Sequence, residues 1–184
     1  MPEVTAEMTS ARELTDQRQG GVIRQNQLVP EDAWQVVRLD EDGNLPSYQQ
    51  PALLPLAHWQ ALVDAGEGSD QLGPWLASDT ELTPELGEAL ATAPLLAVDF
   101  PNFNDGRGYT LARLMRERYG FQGEIRAVGD VLVDQLHYMS RCGIDAFQLR
   151  SDQYVEDALY ALSIFSVSYQ TGIDQTSPLF SRRW

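Results

Sequence analysis

The chain has 184 residues, enough for one domain with a buried core, and its hydrophobic share of 43% is that of an ordinary globular protein. A net charge of −14 speaks against non-specific binding to nucleic acid or to an anionic membrane surface. A single cysteine excludes an intramolecular disulfide, and the apolar runs are too short to span a bilayer.

Residues 1–20 are acidic and polar, with no basic n-region and no apolar h-region. They are expected to be a disordered tail rather than a signal peptide, and with the lone cysteine this points to the cytoplasm. A small β-rich region is expected over residues 21–68. "GVIRQNQLV" (21–29) alternates like a hairpin with Gln25-Asn26 at its turn. "AWQVVRL" (33–39) is β-branched and aromatic enough for a strand, and "DEDGNLPS" (40–47) is a turn cluster. "ALLPLAHWQALVDAG" (52–66) starts extended and turns helical near Pro55.

From residue 72 the rhythm becomes strand, helix, strand, helix, and an α/β domain is expected over 72–170. "LGPWLAS" is a strand weakened by Pro74, and "TPELGEALATA" is a short helix with Thr83 as its cap and Pro84 in its first turn. "PLLAVDF" (94–100) is a buried strand, and "GYTLARLMRERYG" (108–120) is an amphipathic helix closed by Gly120. "GEIRAVG" (123–129) is the next strand, followed by a helix over 130–143 with Asp130 as its N-cap. "DAFQLR" (145–150) is a strand, and 151–170 is expected as the longest helix, capped by Ser151 or Asp152. Residues 171–184 form a C-terminal tail. Successive strand–helix units argue for a parallel sheet, either half of a β/α barrel or an open doubly wound sheet.

The residue inventory narrows the chemistry. All 13 basic residues are arginine, so Schiff-base lysines and the P-loop lysine are absent. Two histidines and one cysteine do not build a zinc site of the usual Cys/His types, and no metal is expected. Cys142 reads as a core residue rather than a nucleophile, and His137 as a packing or surface residue. The catalytic residues and the cofactor stay unidentified at this level. Positive charge is concentrated in the middle: residues 99–150 balance acids against arginines, whereas residues 1–98 are strongly acidic.

In α/β folds ligands bind at the carboxyl ends of the strands. Three such ends carry polar residues: Asp99, Asp105, Gly106 and Arg107 after one strand, Gly129 and Asp130 after the next, Arg150 and Asp152 after the third. Asp105-Gly106 reads first as a turn that starts a helix. Arg107 sits unfavourably at a helix N-terminus unless a carboxylate or an anionic ligand accompanies it. Internal pairing to Asp99 or Asp130 is one solution, and a ligand or a partner's carboxylate is the other. Arg126 alternates onto one strand face with Glu124 and Val128, where a charge needs a partner or a ligand. Asp134 and Gln135 follow Asp130 by one turn, Arg141 suits a helix C-terminus, and Phe103 fits the rim of a pocket or a docking surface.

These residues carry a resemblance. "FPNFNDGRGY" (100–109), "GEIRAVGDVLVDQ" (123–135) and "RCGIDAF" (141–147) closely resemble the bacterial domain-of-unknown-function 934 family. Thr110 and Ile144 stand where Ser and Phe are common in that pattern. Members are typically encoded beside assimilatory sulfite reductase genes and are often labelled as oxidoreductases of sulfite reduction. The resemblance therefore implies an accessory role with sulfite reductase or another sulfate-assimilation protein as partner, or the handling of a small anion. The alternative it leaves open is an oxidoreductase, or an enzyme binding an anionic substrate or phosphate-bearing cofactor, using the edge of Asp105, Arg107 and Arg126.

Overall fold

The computed structural model describes residues 19–182, so the expected tail over 1–20 lies outside the described residues except for Gln19 and Gly20, which open the first strand. The described chain is an α/β half-barrel: one open, curled, mixed sheet of eight strands, with five α-helices. In chain order the strands are β1 (Gln19–Arg24), β2 (Gln27–Val29), β3 (Gln35–Val36), β4 (Ala52–Pro55), β5 (Leu72–Leu76), β6 (Leu95–Phe100), β7 (Glu124–Gly129) and β8 (Ala146–Tyr154). Across the sheet the order is β2-β1-β8-β7-β6-β5-β4-β3. From β3 to β8 every neighbouring pair is parallel, while β1 runs antiparallel to both β8 and β2. The front segment, expected as an appendage, therefore supplies four of the eight strands of this one sheet.

The curl follows from the connection between the two edges. β2 and β3 lie at opposite edges, yet only residues 30–34 separate them. Neighbouring strands sit about 4.8 Å apart, so a flat sheet would hold these edges about 34 Å apart. Six extended residue steps reach only about 20 Å. The sheet must bend until its edges approach, and the linker crosses the concave face.

The helices are α1 (Leu56–Asp64), α2 (Pro84–Leu90), α3 (Arg107–Glu117), α4 (Leu136–Arg141) and α5 (Val155–Ser163). Strand alternation separates two cores. Leu54, Leu76, Leu96, Val98, Ile125, Ala127 and Phe147 pack with helix residues such as Trp59, Leu111, Met115 and Ala158. The alternate residues Leu53, Leu95, Ala97 and Val128 pack with Trp34, Val36 and Trp75 on the concave face.

Local rules hold in several places. Gln25 and Asn26 take positive φ values of 49° and 60°, the geometry of a tight hairpin turn between β1 and β2. Thr83 accepts a hydrogen bond from Leu86 N at the start of α2. Two helix boundaries differ from expectation. Residues 130–132 do not begin a helix, because Arg150 N bonds Val131 O and ties this stretch to β8. A 3-10 turn over Val133–Gln135 precedes α4 instead. β8 runs on to Tyr154 because Gln19 pairs with it, so α5 starts at Val155 and neither Ser151 nor Asp152 caps it. Among the described residues the longest helix is α3, with 11 residues.

Candidate functional site

The carboxyl ends of the parallel strands gather most of the polar residues singled out above. The turn after β6 is closed by Asp105 N bonding Asn102 O, and the Asp105 side chain then accepts from the backbone N–H of Arg107, the first residue of α3, at 3.1 Å. α3 can follow so closely because Gly108 has no side chain. A Cβ there would lie 2.8 Å from both Phe100 and Val98. Arg107 doubles back onto Asp105 through Nε and Nη2, at 3.0 and 2.7 Å. Ser78, buried at the end of β5, donates to Asp105 at 2.6 Å and accepts from Arg107 at 3.0 Å. Arg107 holds the Asp105 carboxyl well below the usual carboxylate range, with Ser78 helping. Internal pairing thus accounts for Arg107, and its partner is Asp105 rather than Asp99 or Asp130.

Asp99 faces the concave side and takes Arg38 through two hydrogen bonds, at 2.6 and 3.3 Å. The same guanidinium lies 5.4 Å from the centre of the Trp75 ring, whose Nε1 donates to Val37 O. Asp130 is not an N-cap. It accepts from Phe103 N at 2.8 Å and from Arg150, whose Nε and Nη2 also grip Asp152 at 2.6 and 2.7 Å. The Arg150 contact draws the Asp152 carboxyl down to about 2. Gln135 donates to Phe103 O, so Asp130 and Gln135 together fix the loop that carries the half-exposed Phe103 ring. Asp134 is exposed beside it. Gly106 is the N-cap residue of α3. Gly129 has a φ of +95°, and a Cβ there would strike Phe100 O at 2.5 Å, so only glycine fits between β6 and the turn.

Two adjoining pockets open at this edge. One, of about 480 Å³, is lined by Arg38, Asp99, Phe100, Pro101, Gly129, Asp130 and Arg150. The other, of about 570 Å³, shares Arg38, Gly129 and Arg150 and continues down the concave face along Val22, Val36, Val128 and Gln148. Both arginine side chains are partly open to solvent, Arg38 at 50% and Arg150 at 39%.

Arg126 and Arg141 do not join this edge. Arg126 does point to the concave face with Glu124, as alternation requires, but it is fully buried. Its neighbours in register on either side are Ala97 and Ala146, which leave space for a long side chain. Asp32, from the linker crossing the concave face, takes both its terminal nitrogens, and Glu124 takes Nε at 2.7 Å. Arg24 of β1 pairs with Glu124 and with Asp32 as well. Desolvation opposes the buried charge, and Asp32 and Glu124 outweigh it, so Arg126 stays above its ordinary value. Arg141 ends α4 and binds Gln170 O and Asp174 at the opposite end of the strands. There it adjoins a pocket of about 710 Å³ lined by Arg116, Asp145, Ile173 and Thr176, among others.

Among the described residues no group of three or more His, Cys, Asp or Glu side chains is placed to hold a metal ion. Cys142 is buried, and desolvation pushes its thiol up. Residues that sequence reasoning passed over are Ser78 and Arg38. Arg38 lies two residues past β3, inside the stretch 33–39 expected as a strand, and its one signal was alternation with Trp34 and Val36.

No curated protein and no solved structure matches the chain. A family model described as "bacterial protein of unknown function (DUF934)" matches residues 73–180, from within β5 through α5 and into the tail. That match covers more than half the chain and takes in Asp99, Gly129, Asp130 and Arg150, and the chain belongs to this family.

Proposed function

We propose that the protein is a cytoplasmic accessory factor of assimilatory sulfite reduction, and that it serves the sulfite reductase step through the carboxyl edge of its sheet. The observation that carries the reading is the pair of partly exposed arginines, Arg38 and Arg150, set at an edge where α/β proteins place their sites. A surface of this kind recognises carboxylates of a partner or a small oxyanion. The residue inventory favours an accessory role: a chain with one cysteine, and that buried, has no cysteine pair for a dithiol redox cycle of its own. The pathway is what the resemblance described above implies.

The test is a deletion strain scored on sulfate, sulfite, sulfide and cysteine. Failure on sulfate and sulfite with rescue by sulfide is expected, and undiminished growth on sulfate would overturn the proposal. Pull-down from cells grown on sulfate should recover the reductase.

A second reading is an oxidoreductase or other enzyme of the same pathway that holds an anionic substrate or phosphate-bearing cofactor. It is favoured by the pocket along Val22 and Val36, whose lining includes both arginines and no carboxylate residue. Arg126 is fully buried between Asp32 and Glu124 and Arg107 lines neither pocket, so this reading now rests on Arg38 and Arg150. A purified protein whose melting temperature ignores flavins, nicotinamides, sulfite and sulfate would count against it.

A further inference from the structure

We infer that the pocket between Arg38 and Arg150 binds an organic anion, with its phosphate or carboxylate head on the two guanidiniums and its carbon body on the concave face below. The inference rests on the reading of this edge as the working surface, and it adds the ligand's chemistry.

Charge is the first ground. The chain as a whole carries −14, yet the pocket's lining residues include two arginines and no acid. Asp99 and Asp130 line the adjoining pocket instead, so each guanidinium is anchored by carboxylates that are not lining residues of this one. Anchored arginines lose little side-chain freedom on binding, which favours affinity. They also keep donors in reserve. Asp99 engages one N–H on each terminal nitrogen of Arg38, which leaves its Nε–H and the remaining hydrogens. Gln148 and Ser151 add further polar groups to the lining.

Size and polarity are the second ground. About 570 Å³ lies within the range of small-molecule sites, roughly 300–1,000 Å³, and far exceeds what an inorganic oxyanion occupies. Below the arginines the concave face adds Val22, Val36 and Val128 beside Gln148, so carbon and polar groups share the lining there. The arrangement suits a ligand with a charged head and a hydrocarbon body. Phosphate esters and carboxylates share the head chemistry, since a guanidinium fork matches both.

The test is calorimetric titration of the full-length protein with inorganic phosphate, with sulfite, and with two series: alkyl phosphates and alkyl carboxylates from methyl to butyl. The expected result is weak binding of the inorganic ions and a dissociation constant that falls with each added methylene, by up to about fourfold where the added group is fully covered. The better of the two series identifies the head group. Arg150→Gln, and the charge-matched double variant Arg38→Gln/Asp99→Asn, should each weaken the best ligand by at least about tenfold. Gln148→Glu keeps both arginines, adds a carboxylate to the lining and should weaken it as well. Circular dichroism and melting curves establish that each variant is folded. Affinity that ignores chain length would overturn the organic ligand, and affinity that survives all three variants, or no binding by any probe, would overturn the site. Since the titration uses purified protein and small anions alone, its failure is distinct from a failed growth phenotype, which bears on the sulfite reduction reading.

Discussion

Two layers of arginine occupy the same concave face and behave oppositely. In the lower layer Arg24 and Arg126 are matched by Asp32 and Glu124; Arg126, at its centre, has no exposed surface, while Arg24 at its rim keeps 37% of its side chain in solvent. In the upper layer Arg38 and Arg150 are matched by Asp99, Asp130 and Asp152, but both remain partly open beside a pocket. The difference is made by what crosses the face. The linker over 30–34 lays Asp32 on Arg126 and closes over it, and the chain then turns up into β3 and leaves Arg38 and Arg150 uncovered. A buried arginine marks where the barrel is fastened, and an anchored, open one marks where it can work.

The lower layer should be the costlier to disturb. Arg126→Ala would leave Asp32 and Glu124 buried against each other with only Arg24 between them, and removing one partner of a buried pair costs about 3–5 kcal/mol. Urea unfolding should show a loss of this size, together with release of the linker as faster amide exchange over residues 30–38. A loss under about 1 kcal/mol would mean that water reaches this layer, and the contrast between the layers would fail.

Between the layers, Gly129→Ala should cost about 1–3 kcal/mol, because φ is +95° and the new Cβ meets Phe100 O. It would also shift the floor shared by the two pockets, so the variant should lose anion affinity along with stability.

How much of this was legible in the sequence depends on how local the cause was. The helix cap at Thr83 and the hairpin turn at Gln25-Asn26 rest on a few neighbouring residues and were readable. So was the placing of Glu124, Arg126 and Val128 on one face, which needs only the strand period. The partner of Arg126 was not, since Asp32 is 94 positions away in a linker whose path depends on sheet curl. The cap assigned to Asp130 failed for a similar reason. A backbone hydrogen bond from Arg150 N to Val131 O delays the helix, and local sequence carries no trace of it. Arg38 was missed because the strand expected over 33–39 was assigned to a separate region, and its place at the site comes from the parallel pairing of β3 with β4 in the one sheet.

In the upper layer, Arg38→Gln should change stability by no more than about 1 kcal/mol, since half of its side chain is already in solvent. Its effect belongs to binding. A variant that lost several kcal/mol would show that Arg38 fastens the fold as Arg126 does.

The smallest effect is electrostatic and lies at acid pH. Asp152 is held at about 2 by Arg150, and Asp105 lies well below the usual carboxylate range beside Arg107. In the unfolded chain both return to about 3.9, so between the two values the unfolded state binds more protons. Their contribution is complete above about pH 4 and is lost as pH falls toward 2. Melting temperature should therefore drop through that window in the wild type. Arg107→Ala releases Asp105 and should flatten the part of the slope that belongs to Asp105, leaving the Asp152 part in place. An unchanged slope would mean that the open pairs at the strand ends exert no hold on their carboxylates in solution, and that the ordering of Arg38 and Arg150 comes from packing on Trp75 and the sheet rather than from charge.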